Sequence, residues 1–107
     1  MCNPYETLNY PLDLAFKLLG RRWCPQVFLE INNGYTRFSQ LQRILPSMSP
    51  RTLSLRISEL EKAGVISKKN GEKNIVNYKL TEKGEELLTI FKSIAAFSFR
   101  WYGINVK

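Results

Sequence analysis

The 107-residue chain contains no histidine. It therefore lacks the commonest general base and the commonest zinc ligand. Its two cysteines, Cys2 and Cys24, lie far apart and form no CxxC pair. A tetrahedral metal centre would have to be built almost from carboxylates alone, so none is expected. There is no Gly-rich phosphate loop and no nucleophile paired with a base. No catalytic group can be assembled, which argues against an enzyme and against a cofactor. No apolar run reaches the ~18 residues that a membrane span needs. The start, Met1-Cys2-Asn3-Pro4-Tyr5-Glu6, has neither the basic patch nor the apolar run of a signal peptide. The expected compartment is the cytoplasm, with no membrane partner. Acid is also scarce: 9 Asp and Glu face 16 Lys and Arg, leaving a net charge of +7.

A hydrophobic fraction of 44% is enough for a folded core, and the length suits a single domain. A core this small is marginal, and burying more apolar surface in a dimer would help it. The charge is concentrated. Between Tyr35 and Gly84 there are ten basic residues (Arg37, Arg43, Arg51, Arg56, Lys62, Lys68, Lys69, Lys73, Lys79, Lys83) against four acidic ones (Glu59, Glu61, Glu72, Glu82). Such a segment favours a polyanionic partner through phosphate contact and counterion release. The competing reading is a merely basic surface that aids solubility.

Ser49 to Gly64 reads as one helix. Ser49 suits an N-cap, Pro50 the first helical position and Gly64 a left-handed stop. Leu53, Ile57 and Leu60 form one apolar stripe that should face a core. Arg51, Leu55, Ser58 and Lys62 fall opposite, with Ser54 at the edge. A buried stripe with a small, basic outer face is what a DNA-reading helix needs. An ordinary solvated surface helix would look the same in isolation.

Residues 1–10 are polar and irregular and suggest a mobile arm or a short helical lead-in that docks on a partner. Leu12 to Leu19 reads as a helix opened by Pro11 and closed by Gly20, with apolar residues on more than one face. A second subunit is one cover for that surface, and a tightly wrapped monomer core is the other. Arg21-Arg22-Trp23 leads to a helix with Pro25 in its first turn and Val27, Phe28 and Ile31 on its apolar side. Asn32-Asn33-Gly34 ends it. Tyr35 to Phe38 is expected to be extended, with Ser39 capping a short helix from Gln40 to Leu45. After Gly64, Val65–Lys69 and Ile75–Leu80 read as strands joined by Asn70-Gly71-Glu72-Lys73-Asn74, a β-hairpin with basic residues near its tip. Thr81 then caps a last helix that ends at Gly103. Its aromatic density exceeds what one exposed helix should leave uncovered.

This order predicts a mainly α fold with a small β-hairpin, a winged helix-turn-helix. Residues 38–64 are the helix-turn-helix, 65–80 the wing and 81–103 a C-terminal dimerisation helix, in one domain with a 1–10 arm. The second helix of the pair would enter the major groove and the wing would lie along the backbone or minor groove.

The residues also carry a family pattern. Leu18-Leu19-Gly20-Arg21-Arg22-Trp23, Arg37-Phe38-Ser39-Gln40-Leu41, Ile44-Leu45-Pro46 and Ser49-Pro50-Arg51-Thr52-Leu53 are its first pieces. Arg56-Ile57-Ser58-Glu59-Leu60-Glu61, Gly64-Val65-Ile66 and Tyr78-Lys79-Leu80-Thr81-Glu82-Lys83-Gly84 complete it. Over residues 10–100 the chain resembles the HxlR-type winged-helix transcription regulators, relatives of the MarR type. The resemblance implies a homodimeric, double-stranded-DNA-binding regulator joined through its first and last helices. It further suggests a repressor acting on a pseudo-palindromic operator. Two features depart from the pattern. Where the family often carries a Cys-Pro that senses oxidants in several members, this chain has Tyr10-Pro11. Its wing also lacks the proline-rich tip.

On this reading the expected DNA contacts are Arg51, Ser49, Thr52, Ser54, Leu55 and Arg56 from the reading helix. Arg37, Ser39 and Gln40 would add phosphate contacts from the helix before it, and Lys68, Lys69 and Lys73 from the wing. Leu55 could meet a thymine methyl or be a tolerated exposed leucine, and Arg56 could instead pair with Glu59 or Glu61. The expected dimer contacts are Leu12, Phe16, Trp23, Phe91, Ile94, Phe97 and Trp101, with Trp23 divided between core and seam. Cys2 is the candidate redox thiol, with a spare cytoplasmic thiol as the competing reading, Cys24 a small core residue, and the effector, a small molecule or an oxidant, is left open. The alternative reading is a winged-helix interaction or adaptor module whose charge is incidental.

Overall fold

The computed structural model of the protein describes residues 4–103, with side chains from residue 9 onward. Cys2, the candidate redox thiol, lies outside the described residues. The element order is α1 (Pro4–Leu19), α2 (Cys24–Asn32), α3 (Phe38–Ile44), α4 (Pro50–Lys62), β1 (Ile66–Asn70), β2 (Val76–Leu80) and α5 (Glu82–Tyr102). A short 3-10 turn, Glu72–Asn74, sits between the strands. This is the expected winged helix-turn-helix.

Helix α4 starts and stops as its sequence demands. Ser49 Oγ accepts from Thr52 N at 3.1 Å, which satisfies one of the unpaired first-turn donors. At the other end Gly64, at φ 80°, takes the left-handed turn. Gly64 N donates to Glu61 O and Val65 N to Leu60 O, the paired bonds of a Schellman ending. Helix α2 ends likewise, with Gly34 N on Ile31 O and Tyr35 N on Glu30 O. Helix α5 opens on Thr81, whose Oγ1 accepts from Gly84 N at 3.1 Å and donates to Gly64 O at 2.5 Å. One hydroxyl thus joins the start of α5 to the end of α4.

Two helices begin earlier than the sequence suggests. α1 runs from Pro4 and contains Pro11, so of the two readings of the first ten residues the helical lead-in describes residues 4–10, continuous with the helix expected from Leu12. A proline inside a helix removes one donated bond, and the helix continues across the gap. α3 starts at Phe38 with Arg37 as its N-cap, not at Gln40 with Ser39. The cause is Gln40. Its Oε1 reaches back to accept from Arg37 N at 3.1 Å and Thr36 N at 3.0 Å, supplying the reciprocal half of a capping box.

The strands pair antiparallel in the register Ile66↔Leu80 to Asn70↔Val76. Asn70-Gly71 does not form a two-residue turn. Gly71 N instead donates to Ile75 O at 2.7 Å, and the left-handed residues at the tip are Lys73 and Asn74. Tyr78 N donates to Thr36 O at 2.8 Å and Thr36 Oγ1 to Asn77 Oδ1 at 3.0 Å. The extended Thr36 segment therefore anchors the wing to the start of α3.

The buried core comprises Cys24, Val27, Phe28 and Ile31 of α2, Leu41 of α3, Leu53, Ile57 and Leu60 of α4, Ile66 of β1, and Met48 and Val65 between elements. The predicted α4 stripe is buried entirely. Phe91 of α5 meets Phe28 edge-on, with centroids 5.3 Å apart. Gly84 is buried where α5 crosses the start of the wing, and a Cβ there would stand 2.0 Å from Val65 O.

Candidate nucleic-acid interface

With its apolar stripe buried, α4 turns the opposite side to solvent. Arg51, Ser54, Leu55 and Lys62 are all exposed on it. Among the described residues Arg51 makes no ion pair, so its guanidinium is free to meet a base edge or a phosphate. Ser49 and Thr52 are partly committed to each other. Beyond the cap bond, Ser49 Oγ donates to Thr52 Oγ1 at 2.9 Å, which leaves the Thr52 hydroxyl hydrogen available for an acceptor.

Arg56 is placed elsewhere. Its Nη1 donates to Glu59 Oε1 at 2.6 Å and its Nε to the backbone carbonyl of Arg22 at 2.7 Å. The side chain is only 16% exposed. It ties α4 to the α1–α2 junction through two of its five N–H donors, and the pairing with Glu59 is the one the sequence offered beside a phosphate contact. The Gln40 side-chain oxygen is occupied in capping α3. Arg37 and Ser39, next to it, are exposed.

On the wing Lys68, Lys69 and Lys73 are all exposed. Successive strand residues point to opposite faces, so Lys68 and Lys69 cannot both address one surface. In the observed register Lys68 stands opposite Tyr78, which packs against the core, and Lys69 opposite Asn77. Lys79 is also exposed and shares the Lys69 face, a contact candidate that the sequence reasoning left out. The wing's anchors, Thr36 and Asn77, were also absent from the expected set. Alternation within Ile75–Leu80 hinted at a paired strand, but no local signal pointed to Thr36 as its neighbour.

The expected dimer residues divide. Leu12, Phe16, Ile94, Phe97 and Trp101 are exposed, Trp101 to 69%. Trp23 and Phe91 are half-buried and pack against the chain's own core. Trp23 caps α2 in a left-handed conformation, φ 73°, with the Arg22 guanidinium 5.5 Å from its ring centre.

Cys24 is fully enclosed at the start of α2. Burial pushes its thiol up to about 11, with the Glu59 carboxylate adding to the rise and Arg56 and Arg21 offsetting part of it. A thiol held protonated in this way is a poor nucleophile. The Tyr78 hydroxyl is also raised, by burial and then by Glu61. Among the described residues no cluster of three potential metal ligands occurs, and no helix is long and apolar enough to cross a membrane.

Comparison with known proteins matches residues 18–105 to the HxlR-like helix-turn-helix family. The chain is 35% identical over 91 residues to the HTH-type transcriptional regulator YvaP of Bacillus subtilis, covering 83% of this chain and 84% of that one. It superposes on the reduced form of the transcriptional regulator YodB from B. subtilis with a TM-score of 0.77 and 28% identity, over 94% of this chain and 95% of that chain. It also superposes on the redox regulator HypR in its oxidized form with a TM-score of 0.74 and 27% identity, over 91% and 98% of the two chains.

Proposed function

The chain belongs to the HxlR-like helix-turn-helix family of DNA-binding transcription regulators, which are not enzymes, and from that premise we propose that it acts as a homodimer on a pseudo-palindromic operator. The observation that carries this reading is the outward face of α4. It offers Arg51 unpaired, with Ser54 and the Thr52 hydroxyl beside it, while its inner stripe is fixed in the core. Arg51 lies in the first turn, where a long cation can reach guanine O6 and N7 or a phosphate. Arg37 and Ser39, at the start of α3, and Lys69, Lys73 and Lys79 on the wing supply backbone contacts on either side. Occupancy of an operator by such a dimer represses by occlusion. Binding to chromosomal DNA places this work in the cytoplasm.

The dimer is supported by surface that a single chain leaves bare. Ile90, Ile94, Phe97 and Trp101 follow one stripe of α5, and each is 46% exposed or more. Leu12 and Phe16 on α1 are similarly open. Two terminal helices carrying this much apolar area favour a self-complementary seam. Any thiol response to an oxidant is assigned to Cys2, because Cys24 is enclosed and held protonated.

Sedimentation of the wild type and of Phe97→Glu, combined with duplex binding across a salt series, tests the proposal. A dimer whose affinity falls steeply with salt, and a folded monomeric variant with weakened binding, is the expected result. A monomeric wild type, or one with no preference for duplex DNA, would contradict it.

A further inference from the structure

Leu55 is the one apolar side chain on the outward face of α4. At roughly 100° per residue it points within about 15° of the direction opposite Leu53, Ile57 and Leu60. It is 48% exposed. Around it stand Arg51 one turn before, Ser54, Ser58 and, two turns on, Lys62. The apolar surplus of this chain lies instead on α1 and α5. A protein partner recognised through apolar contact would need a contiguous patch, and this face offers a single leucine ringed by cations and hydroxyls. A polyanionic groove carrying isolated methyl groups matches that pattern. The major groove of DNA is such a surface, because the C5-methyl of thymine is the apolar group its base edges present there.

We infer that Leu55 is a specificity-determining residue that packs on the C5-methyl of a thymine in the operator. The inference rests on the reading of α4 as the groove-entering helix, and it adds one base identity to that reading. Arg51, four residues earlier on the same face, sets the helix against the neighbouring base edge or phosphate. Leu55 then selects thymine over cytosine one step along, since cytosine lacks the methyl and presents an amino donor that leucine cannot satisfy.

The test uses the full chain and duplexes that it selects from a randomised pool. Each thymine of the selected site is replaced in turn by deoxyuridine, which keeps pairing and the O4 acceptor and lacks only the methyl. The wild type should lose about four-fold in affinity at one thymine of each half-site, the effect of removing one methyl from an apolar contact. Leu55→Ala, an exposed helix position where alanine is well tolerated, should bind thymine and deoxyuridine equally at that position while keeping the wild-type circular dichroism. Equal deoxyuridine costs in both proteins, or none at any thymine, would overturn the inference and leave the DNA-binding reading standing. Failure to enrich any duplex would overturn that reading and the inference with it.

Discussion

Arg56 donates from Nε to the backbone carbonyl of Arg22 at 2.7 Å, which fastens the middle of α4 to the loop where α1 gives way to α2. The same guanidinium holds Glu59, whose second oxygen lies buried without a hydrogen bond and 3.6 Å from Arg21 Nε. The orientation of α4 is thereby tied to the loop that joins the exposed apolar helix α1 to α2.

Removing Arg56 should cost more than an exposed ion pair would. Arg56→Ala strands a largely buried carboxylate and frees a carbonyl, so a loss of about 2–3 kcal/mol is expected in urea denaturation. Glu59→Gln added to Arg56→Ala should recover part of it, because the stranded charge is then gone. If Arg56 acts as a tie within the fold, the salt dependence of DNA binding should not change in Arg56→Ala; a shallower salt slope would make it a phosphate contact.

Gly84→Ala should be far more damaging than its size suggests. The new methyl would meet Val65 O at 2.0 Å, and backbone on both sides would have to separate. We expect at least about 3 kcal/mol, or no folded protein. Gly34→Ala is the control. Nothing lies within 4 Å of its Cβ position, so only the left-handed backbone, φ 106°, is penalised, by about 1–2 kcal/mol. Thermal or urea unfolding of the two variants separates steric contact from backbone strain.

Cys24 should be silent towards alkylation at neutral pH. In a Cys2→Ser background, iodoacetamide should modify the folded protein only as fast as it opens, and the urea-unfolded protein rapidly. The thiol ionises near 9 when unfolded and near 11 when folded. Its contribution to stability is therefore complete below about pH 9 and disappears as the pH rises through 11. That contribution is about 2–3 kcal/mol, from a rise of two pH units. Cys24→Ala should flatten that part of the stability–pH curve.

Where function and local chemistry coincide, the sequence was readable. Ser49, Pro50 and Gly64 mark α4 because caps and left-handed stops act within a few residues of their own position. Thr81 and Gly103 mark α5 for the same reason. The alternating pattern of Ile75–Leu80 disclosed the wing. What escaped depends on contacts distant in sequence or on competing local bonds. Arg56 reaches a carbonyl thirty-four residues away, which no periodicity reports. Gln40 resembles a polar surface residue until its oxygen is seen to cap α3, and that bond also moves the helix start back to Phe38. Pro11 suggested a helix start because interior proline is costly, yet α1 continues through it. Trp23, divided by sequence between core and seam, packs against the core, and only its left-handed cap conformation had no local signal.

The most direct test of the central claim compares wild type with Arg51→Ala on a selected duplex and on a scrambled one, across a salt series. If α4 reads the major groove through Arg51, the variant should lose about 1–3 kcal/mol on the selected duplex and much less on the scrambled one, while remaining folded. Equal binding of the two duplexes by the wild type, or an Arg51→Ala variant that keeps full preference, would contradict the account.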